Sequence, residues 1–167
     1  ALERIRRAMV DDGLTFAEAR AAVRPGAVFT THTPVPAGID RFDRSLMERH
    51  FASWCREVGV TFDELMDLGH EPGLPNGEVF NMAVMSLRLT GSTNGVSDLH
   101  GEVSRKMFAD VWPGVPVEDV PIGSVTNGVH APSWTSREMS ALFERHVGPD
   151  WTEADADRWQ AICDVSD

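Results

Sequence analysis

The stretch V-F-T-T-H-T-P-V-P-A-G-I-D, residues 28–40, decides how the rest of the chain is interpreted. Its first four residues, Val28–Thr31, are β-branched or aromatic and predict a buried strand. Pro34 ends this strand, because proline has no amide hydrogen for a ladder and holds Thr33 extended. Ligands bind beyond the carboxyl ends of strands in open α/β sheets, so His32 is the first candidate site residue.

Helical patterns surround this strand. Capping boxes of the form T-x-x-E predict helix starts at Thr15, Thr61 and Thr135. A second strand is expected over Ile122–Thr126, and it runs into a turn at Asn127. Few strands among many helices are typical of a helix-rich α/β fold with a parallel sheet.

Residues 90–97, T-G-S-T-N-G-V-S, are interpreted as a break between two apolar helices. Ser97 is placed to cap the second of these helices, which we expect from Leu99 onward. Leu99, Val103 and Met107 recur every four residues, so this set is predicted to face the core.

Charge and composition exclude several classes of protein. The formal net charge is −11, which argues against a nucleic-acid binder or a protein of anionic membrane surfaces. No apolar run approaches the roughly 20 residues that span a bilayer. The two cysteines lie far apart and make no metal or redox spacing, which fits a reducing cytoplasm.

The ends of the sequence suggest a piece of a longer polypeptide. The chain opens A-L-E-R-I-R-R without methionine and closes inside a helical pattern. Two parallel strands do not make a stable domain by themselves, so we expect the rest of the sheet to lie elsewhere in the parent.

The remaining polar residues fit a polyhydroxylated ligand. No metal-binding histidine spacing, G-x-S-x-G elbow or phosphate-binding glycine loop occurs, so no catalytic residue or metal site is predicted. His32, Asn127 and the Asn94-Gly95 pair follow or interrupt apolar segments, and neutral His and Asn each offer a donor and an acceptor. Spacing alone favours the plainer interpretation, in which the Asn-Gly pairs are turns and His32 is a hydrogen-bonded buried histidine.

At these residues the sequence resembles the α-glucan (glycogen, starch, maltodextrin) phosphorylase family. Four blocks carry the resemblance, in the family's order: V-F-T-T-H-T-P-V-P-A-G at 28–38, N-M-A-V-M-S-L-R-L at 81–89, N-G-V-S-D-L-H-G-E-V-S-R-K at 94–106 and V-T-N-G-V-H-A-P-S-W at 125–134. The T-T-H-T-P-V-P-A-G form is similar to that of the shorter bacterial and archaeal branch.

The resemblance implies a Rossmann-like lobe of a two-lobed (GT-B type) glycosyltransferase. Residues 1–167 would be a partial amino-terminal lobe segment that reaches towards the interlobe boundary, without the pyridoxal-phosphate lobe. The implied activity is phosphorolysis of α-1,4-glucan by inorganic phosphate to glucose 1-phosphate. The parent would be cytoplasmic and homo-oligomeric, without nucleic-acid or membrane partners.

The resemblance also implies roles for single residues. His32 and Asn127 match residues that contact the glucosyl unit, while Gly95 and Val96 match a loop beside that subsite. His100 matches a position in the following helix that we expect to be structural. Pyridoxal phosphate would be bound by a lysine of the parent's second lobe, because Lys106, this chain's only lysine, lies outside that motif.

Two other interpretations remain open at this stage. The chain is expected to be inactive alone, and the alternative function is a non-catalytic glucan-binding or interaction module on the same fold. A synthase lobe that uses sugar nucleotides shares the architecture, but the T-T-H-T-P and V-T-N-G-V blocks favour a phosphorylase.

Overall fold

The computed structural model describes residues 1–75 and 77–165 and divides the chain into two units, residues 1–127 and 128–167. Asn76 and the last two residues of the predicted 1–167 segment lie outside the described residues. Within the described ranges, no helix is both long and apolar enough to cross a membrane.

The chain alternates helices with short strands. The helices are α1 (Leu2–Val10), α2 (Phe16–Val23), α3 (Arg44–Val58), α4 (Phe62–Leu68), α5 (Met82–Leu89), α6 (Asp98–Met107), α7 (Ala131–Trp134), α8 (Arg137–His146) and α9 (Ala156–Trp159). The strands are β1 (Val28–Thr31), β2 (Arg41–Asp43), β3 (Val79–Asn81), β4 (Ser92–Gly95) and β5 (Gly123–Ser124). The predicted helix-rich α/β class with a small parallel sheet is confirmed.

The parallel sheet has the order β1-β4-β5. Thr31 pairs with Gly95, and Gly95 pairs with Ser124, so the three strands end in one row. The prediction of a break over residues 90–97 was wrong, because this segment supplies the central strand. Its glycines and small polar residues have low strand propensity, and pairing with a strand on each side overrides that preference.

A second, antiparallel pair was not predicted. Strands β2 and β3 pair Arg41 with Asn81 and Phe42 with Phe80. Each strand has three residues, too few for a period-two pattern to stand out. Asn81 then caps α5, since its side-chain oxygen accepts from the amides of Ala83 and Val84.

The buried face of α6 differs from the predicted one. Leu99 is 70% exposed, whereas His100, Gly101 and Ser104 are buried, so the helix is turned by about one residue from the expected orientation. The apolar pattern was misleading because α6 packs closely against the backbone of β4 and β5. That contact leaves room only for small side chains or for a side chain that forms hydrogen bonds. Ser97 caps α6 as predicted, accepting from the His100 amide at 3.1 Å.

Two of the three predicted capping boxes are present. Thr15 and Thr61 each accept from the third helical amide, and the glutamate at that position accepts from the cap's own amide. The box predicted at Thr135 was wrong, because Ser136 caps α8 instead. The Thr135 hydroxyl donates to the Ala131 carbonyl at 2.8 Å.

The unit of residues 1–127 has two apolar clusters. The larger one packs α1–α5 around side chains that are fully buried, including Ile5, Leu65 and Phe80. The smaller one packs one side of α5 against the segment before β5 and includes Leu87 and Ile122. Both clusters use α5, so this helix is fixed on two faces and supports the strands beside it.

The unit of residues 128–167 is organised around three aromatic rings. Phe143 lies 5.1 Å from Trp151 and 5.0 Å from Trp159, measured between ring centroids. Such edge-to-face and tilted pairs are favourable beyond their buried area. Arg158 donates to the Asp150 carboxylate at 3.0 Å and lowers the pKa of that carboxyl.

Candidate functional site

The predicted site residues follow the ends of the three parallel strands. His32 follows β1, Val96 follows β4, and the segment leading to Asn127 follows β5. The Val125 amide donates to the Gly95 carbonyl at 2.9 Å, and the Asn127 amide donates to the Val96 carbonyl at 3.1 Å. The structure therefore brings Gly95, Val96 and Asn127 together through backbone hydrogen bonds.

His32 lies at the same edge, two strands away from the segment that carries Asn127. Since neighbouring strands lie about 4.8 Å apart, the ends of β1 and β5 are separated by about 10 Å. The His32 side chain is exposed and lines a cleft of about 230 Å³ between β1, residues 38–40 and α5. The interpretation of His32 as a buried histidine is wrong. Gly95, Val96 and Asn127 do not line this cleft.

The Asn127 side chain is oriented by its backbone and left open. The backbone N–H of Asn127 donates to the Val96 carbonyl, while the residue itself is exposed. Within the described part of the chain, its carboxamide makes no hydrogen bond to protein. An asparagine held in this way presents two donors and an acceptor to a ligand, as a sugar hydroxyl requires.

Asn94 is used differently from Asn127. Its side-chain oxygen accepts from the Thr30 hydroxyl at 3.1 Å, and its amide group donates to the Gly95 carbonyl at 3.1 Å. These bonds tie β1 to β4 across the sheet. Asn94 is therefore a structural residue, whereas the sequence grouped it with the ligand-type residues.

Gly95 has a packing role that the sequence did not reveal. A Cβ atom on Gly95 would lie 2.8 Å from the Gly101 nitrogen and 2.9 Å from the His100 carbonyl carbon. Both atoms belong to the backbone of α6, so they cannot turn away as a side chain would. The glycine therefore lets β4 approach α6 closely at this edge of the sheet.

His100 joins two of the loops at this edge. Its ring is buried, its Nδ1 accepts from the Val96 amide at 3.2 Å, and its Nε2 lies 3.0 Å from the Thr33 carbonyl. A carbonyl oxygen only accepts, so the ring is the neutral tautomer with its proton on Nε2. The sequence-based expectation that His100 is structural says nothing of this bridge between the loops.

A polar network fixes the other end of the loop that follows His32. Arg41 donates to both carboxylate oxygens of Glu71 at 2.9 and 3.0 Å, and to the Pro36 carbonyl at 2.9 Å. Asn81 donates to the same carboxylate at 2.9 Å. The Arg41 hydrogen bonds, with a smaller part from Asn81, lower the pKa of Glu71 against the effect of its partial burial.

Sequence reasoning did not single out Arg41, Glu71 or Asn81. Arg41 and Glu71 lie 30 positions apart, and no motif joins them. The one local signal was the D-R-F-D sequence at residues 40–43, directly after the Pro-rich loop, which places a charged arginine beside that loop.

In residues 1–75 and 77–165, no cluster of histidine, cysteine or acidic side chains could hold a metal ion. Lys106 is exposed near the end of α6 and lines none of the clefts described above.

The sequence is similar to those of several phosphorylases. No family model matches the chain. It is 46% identical over 155 residues, 89% of its length, to a glycogen phosphorylase of Mycobacterium tuberculosis. It is 39% identical over 144 residues to a maltodextrin phosphorylase of Thermococcus litoralis, and 34% identical over 161 residues to a glycogen phosphorylase of Aquifex aeolicus.

The matches cover most of this chain but a small part of each relative. The chain spans 18% of the length of the Mycobacterium protein, 16% of the Thermococcus protein and 23% of the Aquifex protein. The resemblance seen in the four sequence blocks is confirmed: the chain is related, along about nine tenths of its own length, to the glycogen and maltodextrin phosphorylases of bacteria and archaea.

Proposed function

We propose that this chain is part of the first lobe of an α-glucan phosphorylase with the two-lobed GT-B architecture. The substrates of that enzyme are α-1,4-glucan and inorganic phosphate, and its product is glucose 1-phosphate. The chain's contribution is one side of the subsite for the terminal glucosyl unit. The proposal follows from the similarity to named phosphorylases together with the geometry at the strand ends.

The observation that carries the proposal is the common edge reached by His32, Val96 and Asn127. Three parallel strands end in one row, and the residues after each end belong to the sequence blocks shared with the family. His32 and Asn127 are exposed there, with side chains that both donate and accept hydrogen bonds. A sugar hydroxyl needs such partners, and a carboxylate or phosphate ligand would instead call for arginine or lysine.

The proposed role of these residues is orientation. His32 and Asn127 bind hydroxyl groups of the glucosyl unit and fix its ring while the glycosidic bond breaks. Holding reacting groups in place accounts for several kcal/mol of a barrier. Pyridoxal phosphate, bound elsewhere in the parent, would supply the phosphate chemistry.

The test uses the full-length polypeptide that carries this segment. Asn127→Ala is expected to lower kcat/KM for glucan phosphorolysis roughly tenfold to hundredfold, because a buried hydroxyl of the bound sugar loses its partner. Unfolding free energy should change by less than about 0.5 kcal/mol, since the side chain is exposed and the backbone bond to Val96 remains.

Two controls sharpen this experiment. Glu118→Gln changes an exposed residue away from the strand ends and should leave the kinetics unchanged. The purified 167-residue chain should release no glucose 1-phosphate from glucan and phosphate. Wild-type kinetics in Asn127→Ala, or product release by the isolated chain, would overturn the corresponding part of the proposal.

A further inference from the structure

We infer that His100 is a positioning residue that couples the loop carrying His32 to the loop carrying Val96. The inference about the ligand rests on the proposed function, but the coupling of the loops does not. His100 is buried and does not line the cleft that contains His32. It can therefore influence that cleft only through the backbone groups to which it is hydrogen-bonded.

The geometry is a single ring held between two backbones. Nδ1 receives the amide of Val96, the residue directly after β4, and Nε2 meets the carbonyl of Thr33, the second residue after β1. Both bonds need the neutral ring, and each fixes the tautomer required by the other. Rotation of the ring would break both bonds at once and leave two part-buried backbone groups without these partners.

The His100 ring belongs to the first turn of α6, which is itself held by two contacts. The His100 amide is held by Ser97 at the start of α6, and the backbone of α6 presses against Gly95. The position of the His100 ring is therefore set by α6, and the loop at Thr33 is held relative to α6.

Arg41 supplies a second anchor for the same loop. It donates to the Pro36 carbonyl, while its guanidinium is locked by the bidentate pair with Glu71. The loop from Thr33 to Gly38 is thus fixed at Thr33 from α6 and at Pro36 from β2. His32 lies directly before the first anchor, so its ring position depends on the His100 bond.

The consequence for the proposed enzyme is a loss of alignment when the bond to Thr33 is removed. A misplacement of about 1 Å at a substrate-orienting residue costs up to a hundredfold in rate. We expect about a tenfold loss in kcat for variants that lack this bond, with glucan KM within about twofold. The split follows from the proposed role of His32, which binds the terminal glucosyl unit and no other part of the glucan.

The experiment compares two amide replacements in the full-length polypeptide. His100→Gln places an amide nitrogen near the Nε2 position and should keep the bond to Thr33. His100→Asn is shorter, keeps an acceptor for Val96 and leaves the Thr33 carbonyl without a partner. Lys106→Gln, on the exposed side of the same helix, is the matched control.

Hydrogen exchange gives a readout that is independent of activity. The amides of Gly38 and Ile39 close the loop by donating to the Val35 and Pro36 carbonyls. Their exchange should accelerate at least tenfold in His100→Asn, and stay within about threefold of wild type in His100→Gln and Lys106→Gln. Exchange in α8 (Arg137–His146), which lies far from this loop along the chain, should be the same in all four proteins.

The outcomes separate the two claims. Unchanged loop exchange in His100→Asn overturns the coupling. Faster loop exchange with wild-type kcat, in an enzyme that Asn127→Ala impairs, overturns the positioning role. Faster exchange together with reduced kcat in His100→Asn, restored in His100→Gln, supports both. If the wild-type polypeptide does not phosphorolyse glucan, the proposed function fails, and the exchange result alone decides the coupling.

Discussion

Gly95 provides a direct test of how closely β4 and α6 are packed. In Gly95→Ala the added carbon would lie 2.8 Å from the Gly101 nitrogen, 2.9 Å from the His100 carbonyl carbon and 3.1 Å from the Gly101 Cα atom. Ordinary contacts between such atoms begin near 3.5 Å, so the backbones have to separate by about 0.7 Å.

The helix has little room to retreat. A Cβ on Gly101 would itself lie 3.1 Å from the Gly123 carbonyl oxygen, which shows that α6 is also close to β5. Overpacking in such places costs about 1–3 kcal/mol, and we expect the upper half of that range because every close atom belongs to backbone. At a urea m-value of about 2 kcal/mol/M, a loss of about 2 kcal/mol lowers the unfolding midpoint by about 1 M.

The assay is urea unfolding of the purified chain followed by far-ultraviolet circular dichroism. Gly123→Ala is the matched control, because its new carbon would meet only the Thr93 carbonyl oxygen, at 3.8 Å. The unfolding free energy of that control should lie within about 0.5 kcal/mol of the wild-type value, or slightly above it, since alanine reduces the conformational entropy of the unfolded chain. Equal midpoints for the two variants would refute the close approach between β4 and α6.

Two further predictions concern local stability. Thr61→Ala removes the capping hydroxyl of α4 and should lower the unfolding free energy by about 1 kcal/mol in a urea titration, whereas Thr61→Ser, which keeps a hydroxyl, should recover most of it. Glu71→Gln tests the network at β2: since the fold lowers the pKa of Glu71, its contribution is present above the ordinary glutamate pKa of about 4.3 and is lost as the pH falls through the lowered value. The wild type should therefore exceed Glu71→Gln in stability by about 1 kcal/mol at pH 7 and by less at pH 3, and a constant difference across this range would contradict the assignment.

The parts of the fold predicted from sequence are those governed by local chemistry. The strand Val28–Thr31, the caps at Thr15 and Thr61 and the cap at Ser97 follow from side-chain propensities and short-range hydrogen bonds. The predicted burial of this strand was wrong, because only Thr31 is buried and Val28 is 67% exposed. Thr135 shows the limit of this reasoning, because two adjacent hydroxyl residues compete for one cap and tertiary position selects Ser136.

The parts that were missed depend on contacts between distant residues. Strand β4 has a composition typical of a turn and becomes a strand only because β1 and β5 pair with it. The buried face of α6 was predicted wrongly for the same reason. The polar His100 is buried there because it forms hydrogen bonds to two loops. Neither effect is visible in a window of neighbouring residues.

For the candidate site, the sequence located the residues but not their support. His32, Gly95, Val96 and Asn127 do lie at one edge of the sheet, and their contacts with a ligand stay a prediction. The bonds that hold this edge come from His100, Arg41 and Glu71, whose partners lie between 4 and 67 positions away along the chain.

The strand order has a consequence for the way in which the chain acquires its structure during synthesis. Among the described residues, β1 pairs only with β4, and the partners Thr30 and Asn94 are 64 positions apart. Closing a loop of that length costs about 4 kcal/mol in chain entropy before any pairing is gained. On a ribosome, β1 emerges long before its partner, so we expect α1–α4 and the β2–β3 pair, which share the larger apolar cluster, to form before β1 pairs. Substitutions in this early-forming portion should therefore slow the acquisition of structure more than substitutions in β5, which joins a sheet that already exists.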